Sequence, residues 1–286
     1  MTMFFLISSI ILSSVRNILS KSISDLNFGT KQFFIIQSCI FACGSLILVF
    51  ATSYNFDSTS LLTSIYAIIY SLLLLSAQYC YTVALKKGNV GICSVVYSLG
   101  FIFPTLSGSL FWNEKLTLLK ILGILMVIPA IIVSGSSRNT QQKSGDNYIT
   151  PLLIAMLSSG GLGVVQKIQQ NSPYPDEKTC FLISAFAFAS IISFLISLFA
   201  KGDMQIKLKK KLFSGAGVGV AFGLSNLLNT VLAGKLDSAV FFPVLNIGTI
   251  LFSIIAGVVL FKEKISRKDL AVLILGITAI LLITCT

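Results

Sequence analysis

The feature that most constrains this chain is the succession of apolar runs that fills it from Met3 to Cys285. A helix needs about 20 apolar residues to cross the hydrocarbon layer of a bilayer, and only helices or closed barrels satisfy their own backbone there. The pattern predicts an all-α polytopic membrane protein. Its ten spanning helices are expected at about 3–23, 32–53, 61–85, 90–112, 117–135, 149–169, 179–200, 212–234, 238–261 and 267–285. Polar or turn-forming clusters separate them, among them Asp57-Ser58-Thr59, Lys86-Lys87-Gly88-Asn89 and Ser172-Pro173-Tyr174-Pro175-Asp176. Charged residues make up 11% of the chain, against about 25% in a soluble domain. The first apolar run has no basic leader and no small-residue cleavage site, so it reads as a retained helix.

The chain also repeats itself. Leu110-Phe111-Trp112-Asn113-Glu114-Lys115-Leu116-Thr117 returns as Val259-Leu260-Phe261-Lys262-Glu263-Lys264-Ile265-Ser266, an offset of 149 positions (263 − 114). Leu85-Lys86 matches Gly234-Lys235 at the same offset, and Ser13 to Lys21 matches Ser159 to Lys167 at an offset of 146 (167 − 21). A long aperiodic polar connector, residues 136–148, lies between spans five and six. The organisation is therefore a first five-helix repeat over 1–135, the loop, and a second five-helix repeat over 149–286. An odd number of spans per copy means that successive copies enter the membrane from opposite sides, so the two repeats are expected to be inverted.

The ten-span layout, the stretches ending at Lys21 and Lys167, and the Glu114–Thr117 and Glu263–Ser266 corners resemble the drug/metabolite transporter superfamily, in particular its EamA-type members. Two features depart from that family. Ser13-Ser14 stands where its first span commonly carries Trp-Gly, and Pro104 and Pro243 lie at different depths in the two halves. The resemblance implies a secondary transporter, not an enzyme, that moves a small polar metabolite by alternating access through a central cavity between the repeats. Amino acids and related compounds are the implied substrate class, with sugars, organic acids or phosphorylated metabolites as alternatives. The implied setting is a bacterial cytoplasmic membrane.

The excess of Lys and Arg over Asp and Glu, 21 to 10, reads as topology and not as nucleic-acid binding. Fifteen of these cations lie in the gaps after odd-numbered spans, including Lys86, Lys87, Arg138 and Lys209 to Lys211, and five in the other gaps. Positive loops stay cytoplasmic, so both termini are predicted to be extracytoplasmic. Histidine is absent, and the six cysteines lie in apolar runs without a Cys-x-x-Cys pair, so no metal and no cofactor is expected. All ten carboxylates fall in loops or at span ends, which favours facilitated movement or exchange over proton coupling. The lipid bilayer and a small-molecule metabolite are the expected partners, and a monomer is compatible with the sequence.

Arg16 is the one charge deep in an apolar run. At a helix centre it costs about 2.5–3.5 kcal/mol on insertion scales. Ser9, Ser13, Arg16, Asn17 and Ser20 recur at helical spacing and line one face. Arg16 could bind an anionic group of the substrate or snorkel toward the Lys21 end. Further polar positions occur in the spans at Gln78, Tyr79, Tyr97, Gln166, Asn226, Asn229 and Asn246. Together with Arg16 and Asn17 these are the candidate substrate-binding residues. Each could instead serve interhelical hydrogen bonding or aromatic packing. Gly215, Gly219 and Gly223 recur every fourth residue in span eight and predict close helix packing. A membrane enzyme acting on lipid would need a histidine, a clustered Asp motif or a Ser/His constellation, which the sequence lacks. A membrane scaffold or accessory subunit would predict no water-filled cavity.

Overall fold

A computed structural model describes residues 2–21, 29–52, 59–88, 90–136, 148–200, 208–261 and 267–284. The second corner, Glu263 to Ser266, lies outside the described residues, as do Lys201, Lys207 and most of the inter-repeat loop.

Among the described residues all regular structure is helical. The order is α1 (Thr2–Lys21), α2 (Thr30–Thr52), α3 (Leu61–Lys87), α4 (Val90–Ser98), α5 (Ile102–Phe111), α6 (Leu118–Ser136), α7 (Ile149–Gln170), α8 (Lys178–Phe199), α9 (Leu208–Lys235), α10 (Ser238–Phe261) and α11 (Arg267–Thr284). Each expected span coincides with one helix, except that a 3-10 turn at Leu99–Phe101 divides the fourth into α4 and α5. Eight of the spans are long and apolar enough to cross a bilayer by length and composition alone. The apolar part of α6 is shorter, Leu118–Ser134, and α11 opens on three charges, Arg267, Lys268 and Asp269. α9 starts four residues before the expected 212, because Lys209 to Lys211 join its first turn; lysine is a good helix former despite its charge.

The helices cluster into two compact units, each drawing on both sequence halves. One comprises Met1–Leu75 and Val165–Gly234, the other Ser76–Val164 and Lys235–Thr286.

In the first unit α2 runs antiparallel to α8. Ser38 and Ser190 share a hydrogen bond, and the Ser45 hydroxyl donates to the Ile183 carbonyl. The glycine stripe of α9 meets α2 as the spacing predicts. A side chain at Gly219 would collide with the Ile40 carbonyl, and one at Gly223 would lie 2.6 Å from the Gly44 carbonyl. Gly44 in turn leaves room for the Phe186 ring. Phe186 packs edge-on to Phe41 and Phe222, at 6.0 and 5.3 Å between centroids. The Glu177 carboxylate accepts from the Ser60 N–H and hydroxyl, which caps the start of α3.

In the second unit α6 lies along α11, where Gly123 faces Ile283 and the Ala279 carbonyl, and α10 contacts α5, α6 and α11. The first corner folds back on α5. Asn113 takes a positive φ of 53°, a conformation asparagine tolerates better than most residues. The Trp112 and Glu114 N–H groups both donate to the Gly108 carbonyl. Glu114 then caps α10, accepting from the Ser238 N–H at 2.6 Å. Beside it, the Lys120 ammonium, almost fully buried, pairs with Asp237 at 2.8 Å.

Candidate functional site

The candidate residues divide between the two units. Arg16, Asn17, Gln166, Asn226 and Asn229 belong to the first, and Gln78, Tyr79, Tyr97 and Asn246 to the second.

In the first unit, α1 has too few buried apolar positions to sit in a core; Ser9, Ser13 and Ser14 are its buried polar residues. This polar face receives partners from α9. The Ser9 hydroxyl donates to Oδ1 of Asn229. About two turns along, the Arg16 guanidinium carbon stands 4.7 Å from the centroid of the Phe222 ring. Phe222 also packs against Phe186 and Phe41, which fix the ring that meets the cation. Such a contact is worth about 0.5–2 kcal/mol, more when water is excluded. Nε and one terminal nitrogen of Arg16 donate to Oδ1 of Asn17, at 3.3 and 3.0 Å. Arg16 is half-buried and Asn17 exposed. The guanidinium thus lies over an aromatic ring and is steadied on one edge by Asn17.

Beneath this lies a buried network. Asn226, 5% exposed, accepts at Oδ1 from the Tyr70 hydroxyl at 2.6 Å and from Nε2 of Gln166 at 3.2 Å. Its Nδ2 donates to the Phe222 carbonyl at 2.9 Å. Nε2 of Gln166 also lies 3.2 Å from the Tyr70 oxygen. An amide oxygen has two lone pairs, and both on Asn226 are engaged. The network ties α3, α7 and α9 together and fixes the helical turn that carries Phe222.

In the second unit the Tyr97 ring lies 4.4 Å from that of Tyr81, tilted by 37°, and the Tyr81 and Ser94 hydroxyls are 3.2 Å apart. Nδ2 of Asn246 donates to the Ser98 carbonyl at 3.2 Å. Gln78 is half-buried, and Tyr79 is exposed on α3.

Two members of the first constellation carried no signal of their own. Tyr70 sits in the run Ile68-Ile69-Tyr70-Ser71, and Phe222 among glycines and alanines; each looks like an ordinary apolar residue. A tyrosine in mid-span was the available clue, because a buried phenol needs a partner. Among the described residues no group of three or more Cys, Asp or Glu could hold a metal ion.

A family model described as "EamA-like transporter family" matches residues 1–136 and 147–285. Among solved structures, one titled "Crystal structure of protein" aligns over 99% of this chain and 96% of its own, with a TM-score of 0.81 at 14% identity. That likeness concerns the fold. No curated protein matches the chain.

Proposed function

Because the chain belongs to the EamA-like transporter family, we propose that it is a secondary carrier for a small polar metabolite bearing a carboxylate or phosphate, moved by alternating access. The observation that carries this reading is Arg16, half-buried within a spanning helix, with its guanidinium over the Phe222 ring and steadied by Asn17. A planar, permanently charged donor fork matches a carboxylate or phosphate in two-point fashion. Asn17, Asn226 and Asn229 are the neutral groups of the same unit that would orient the rest of the molecule. Amino acids and related compounds are the proposed class, since each offers a carboxylate. Tyr79, Gln78 and Tyr97 are proposed as further polar positions on the route.

The described carboxylates stand at helix ends: Glu114 after α5, Asp176 and Glu177 before α8, Asp237 before α10 and Asp269 in the first turn of α11. None offers the intramembrane acid that proton-coupled carriers use, and facilitated movement or exchange is the proposed mode. The lysine-rich gaps support extracytoplasmic termini; a cytoplasm-only reporter fused after Thr286 that became active would reverse that orientation.

The test is uptake from a metabolite mixture into proteoliposomes, comparing wild type with Arg16→Ala. The expected result is a small set of anionic or zwitterionic compounds taken up by wild type and strongly reduced in Arg16→Ala. Equal uptake of those compounds by both proteins would remove the anion-site reading while leaving the fold and family untouched.

A further inference from the structure

The fourth span is broken where its counterpart in the second half is whole. Pro104 has no N–H, so the Gly100 carbonyl four residues earlier lacks its i+4 donor and is faced by the Ile102 N–H within the 3-10 turn. The Ile102 N–H turns toward the Leu99 carbonyl, which withdraws from Ser98 the donor that a continuous α-helix would supply. Nδ2 of Asn246, from α10, takes up the Ser98 carbonyl instead. The break rests on backbone. A side chain at Gly100 would lie 2.7 Å from the Met156 carbonyl, and one at Gly160 would lie 2.6 Å from the Gly100 carbonyl. Here α7 crosses the turn at close backbone approach, with Gly160 also facing the Phe103 side chain and Gly163 the Pro104 ring.

At the repeat offset of 149, Ser98, Gly100 and Pro104 correspond to Ile247, Thr249 and Ser253. α10 runs unbroken through these positions. The Thr249 hydroxyl bonds back to the Leu245 carbonyl, and that of Ser253 to Thr249. The proline of that helix, Pro243, falls near its start, where the missing N–H removes only the bond to Ala239 in the first turn. A 3-10 stretch within a long helix is a common location for a hinge.

We propose that Ser98–Phe101 is a hinge of the transport cycle and that the Asn246 amide is its latch. α5 swings relative to α4 about Gly100, and the Asn246–Ser98 hydrogen bond opens and closes with the swing. Asn246 is then a positioning residue, acting through the backbone it holds. The assignment rests on the carrier reading above for its purpose, but its physical content is independent of any substrate.

Hydrogen–deuterium exchange read by mass spectrometry, on the full chain in lipid nanodiscs without substrate, tests it. The amides of residues 99–103 are compared with their repeat counterparts, 248–252. The hinge predicts exchange at 99–103 at least about tenfold faster than at 248–252, because local opening is cheap where helical bonds are missing. Asn246→Ala should accelerate it further and Asn246→Gln restore it in part, while Pro104→Ala should slow it toward the rate of α10. Equal rates at the two sites in wild type would make the break a static kink and overturn the proposal. So would fast exchange that neither Asn246→Ala nor Pro104→Ala alters. If Pro104→Ala fails to fold, the wild-type comparison and the Asn246 variants still decide. A second readout separates latch from substrate contact: on the compounds found by the uptake screen, Asn246→Ala should lower the maximal rate at unchanged KM. A raised KM at unchanged maximal rate would mean that Asn246 touches substrate and is not the latch. Failure of the exchange test leaves the carrier reading standing, and failure of uptake leaves the exchange result standing.

Discussion

The carboxylate of Glu114 accepts a hydrogen bond from the backbone N–H of Ser238, 124 residues away, at 2.6 Å. It satisfies one of the orphan donors at the start of α10 and places negative charge at the positive end of that helix. The repeated Glu-Lys corner therefore has a structural task, at least in its first copy: it fastens the end of α5 to the beginning of α10. Gly108 makes the fit, because a side chain there would occupy the position of the Glu114 carboxylate.

Gly108→Ala should therefore dislodge the cap as well as crowd the corner. A lost helix cap costs about 0.5–2 kcal/mol, so Glu114→Ala should lower the Tm of the purified protein by a few degrees, and Gly108→Ala by at least as much. The double variant should lose little beyond Gly108→Ala, because both act on one contact. Additive losses would show the two residues to be independent.

The glycine stripe of α9 gives a paired prediction. Gly219→Ala forces a methyl onto the Ile40 carbonyl of α2, a backbone atom that cannot rotate away. Gly217, two residues before it, has its nearest neighbour at 3.8 Å, the end of the Leu19 side chain. Replacing an unstrained helical glycine by alanine gains about 0.5–1 kcal/mol. Thermal unfolding in detergent should place Gly219→Ala below wild type and Gly217→Ala at or slightly above it.

Removing the Tyr70 hydroxyl leaves Gln166 and Asn226 short of one partner inside the unit. Interhelical hydrogen bonds in membranes average about 0.6 kcal/mol and reach about 1.7. Tyr70→Phe should thus be modestly destabilising, by about 1 kcal/mol. It should also reduce uptake more than it reduces stability, since the network sets the turn bearing Phe222. Unchanged uptake in a folded Tyr70→Phe protein would detach the network from the Arg16 site.

Lys120 and Asp237 should respond unequally. Lys120 is 7% and Asp237 48% exposed at the side chain, so removing the acid strands a buried ammonium, whereas removing the lysine leaves an acid that water can reach. Asp237→Asn should lower Tm more than Lys120→Met. The reverse order would mean that the lysine's environment stabilises its charge without Asp237.

Much of this architecture was legible in the sequence, because the constraints involved are local. Span positions follow from run length and hydropathy, and the Gly215, Gly219 and Gly223 stripe from helical period. The Glu114 corner was visible through its recurrence, although its partner Ser238 was not. What escaped are contacts made across long sequence separations by residues of ordinary appearance. Tyr70 reaches Asn226 over 156 positions and Gln166 over 96. Phe222 became notable only once Arg16 was found above it. The break at Leu99–Phe101 had a visible cause in Pro104, but a proline alone does not distinguish a smooth kink from an interruption relieved by another helix's amide. Of the nine candidate polar residues, five gather in one unit, and two of the amides, Asn226 and Asn246, hold neighbouring backbone or side chains.

The central claim, that Arg16 recognises an anionic group, is tested most directly by discrimination. For a carboxylate substrate found in the uptake screen, the measurement is the ratio of its kcat/KM to that of its carboxamide, in wild type and in Arg16→Gln. A hydrogen bond to a charged group contributes about 1.5–3 kcal/mol and a neutral one about 0.5–1.5, so with a two-point contact wild type should favour the carboxylate by at least about tenfold. Arg16→Gln should bring the ratio near unity. A ratio that stays the same in Arg16→Gln, in a protein that still transports, would contradict the account.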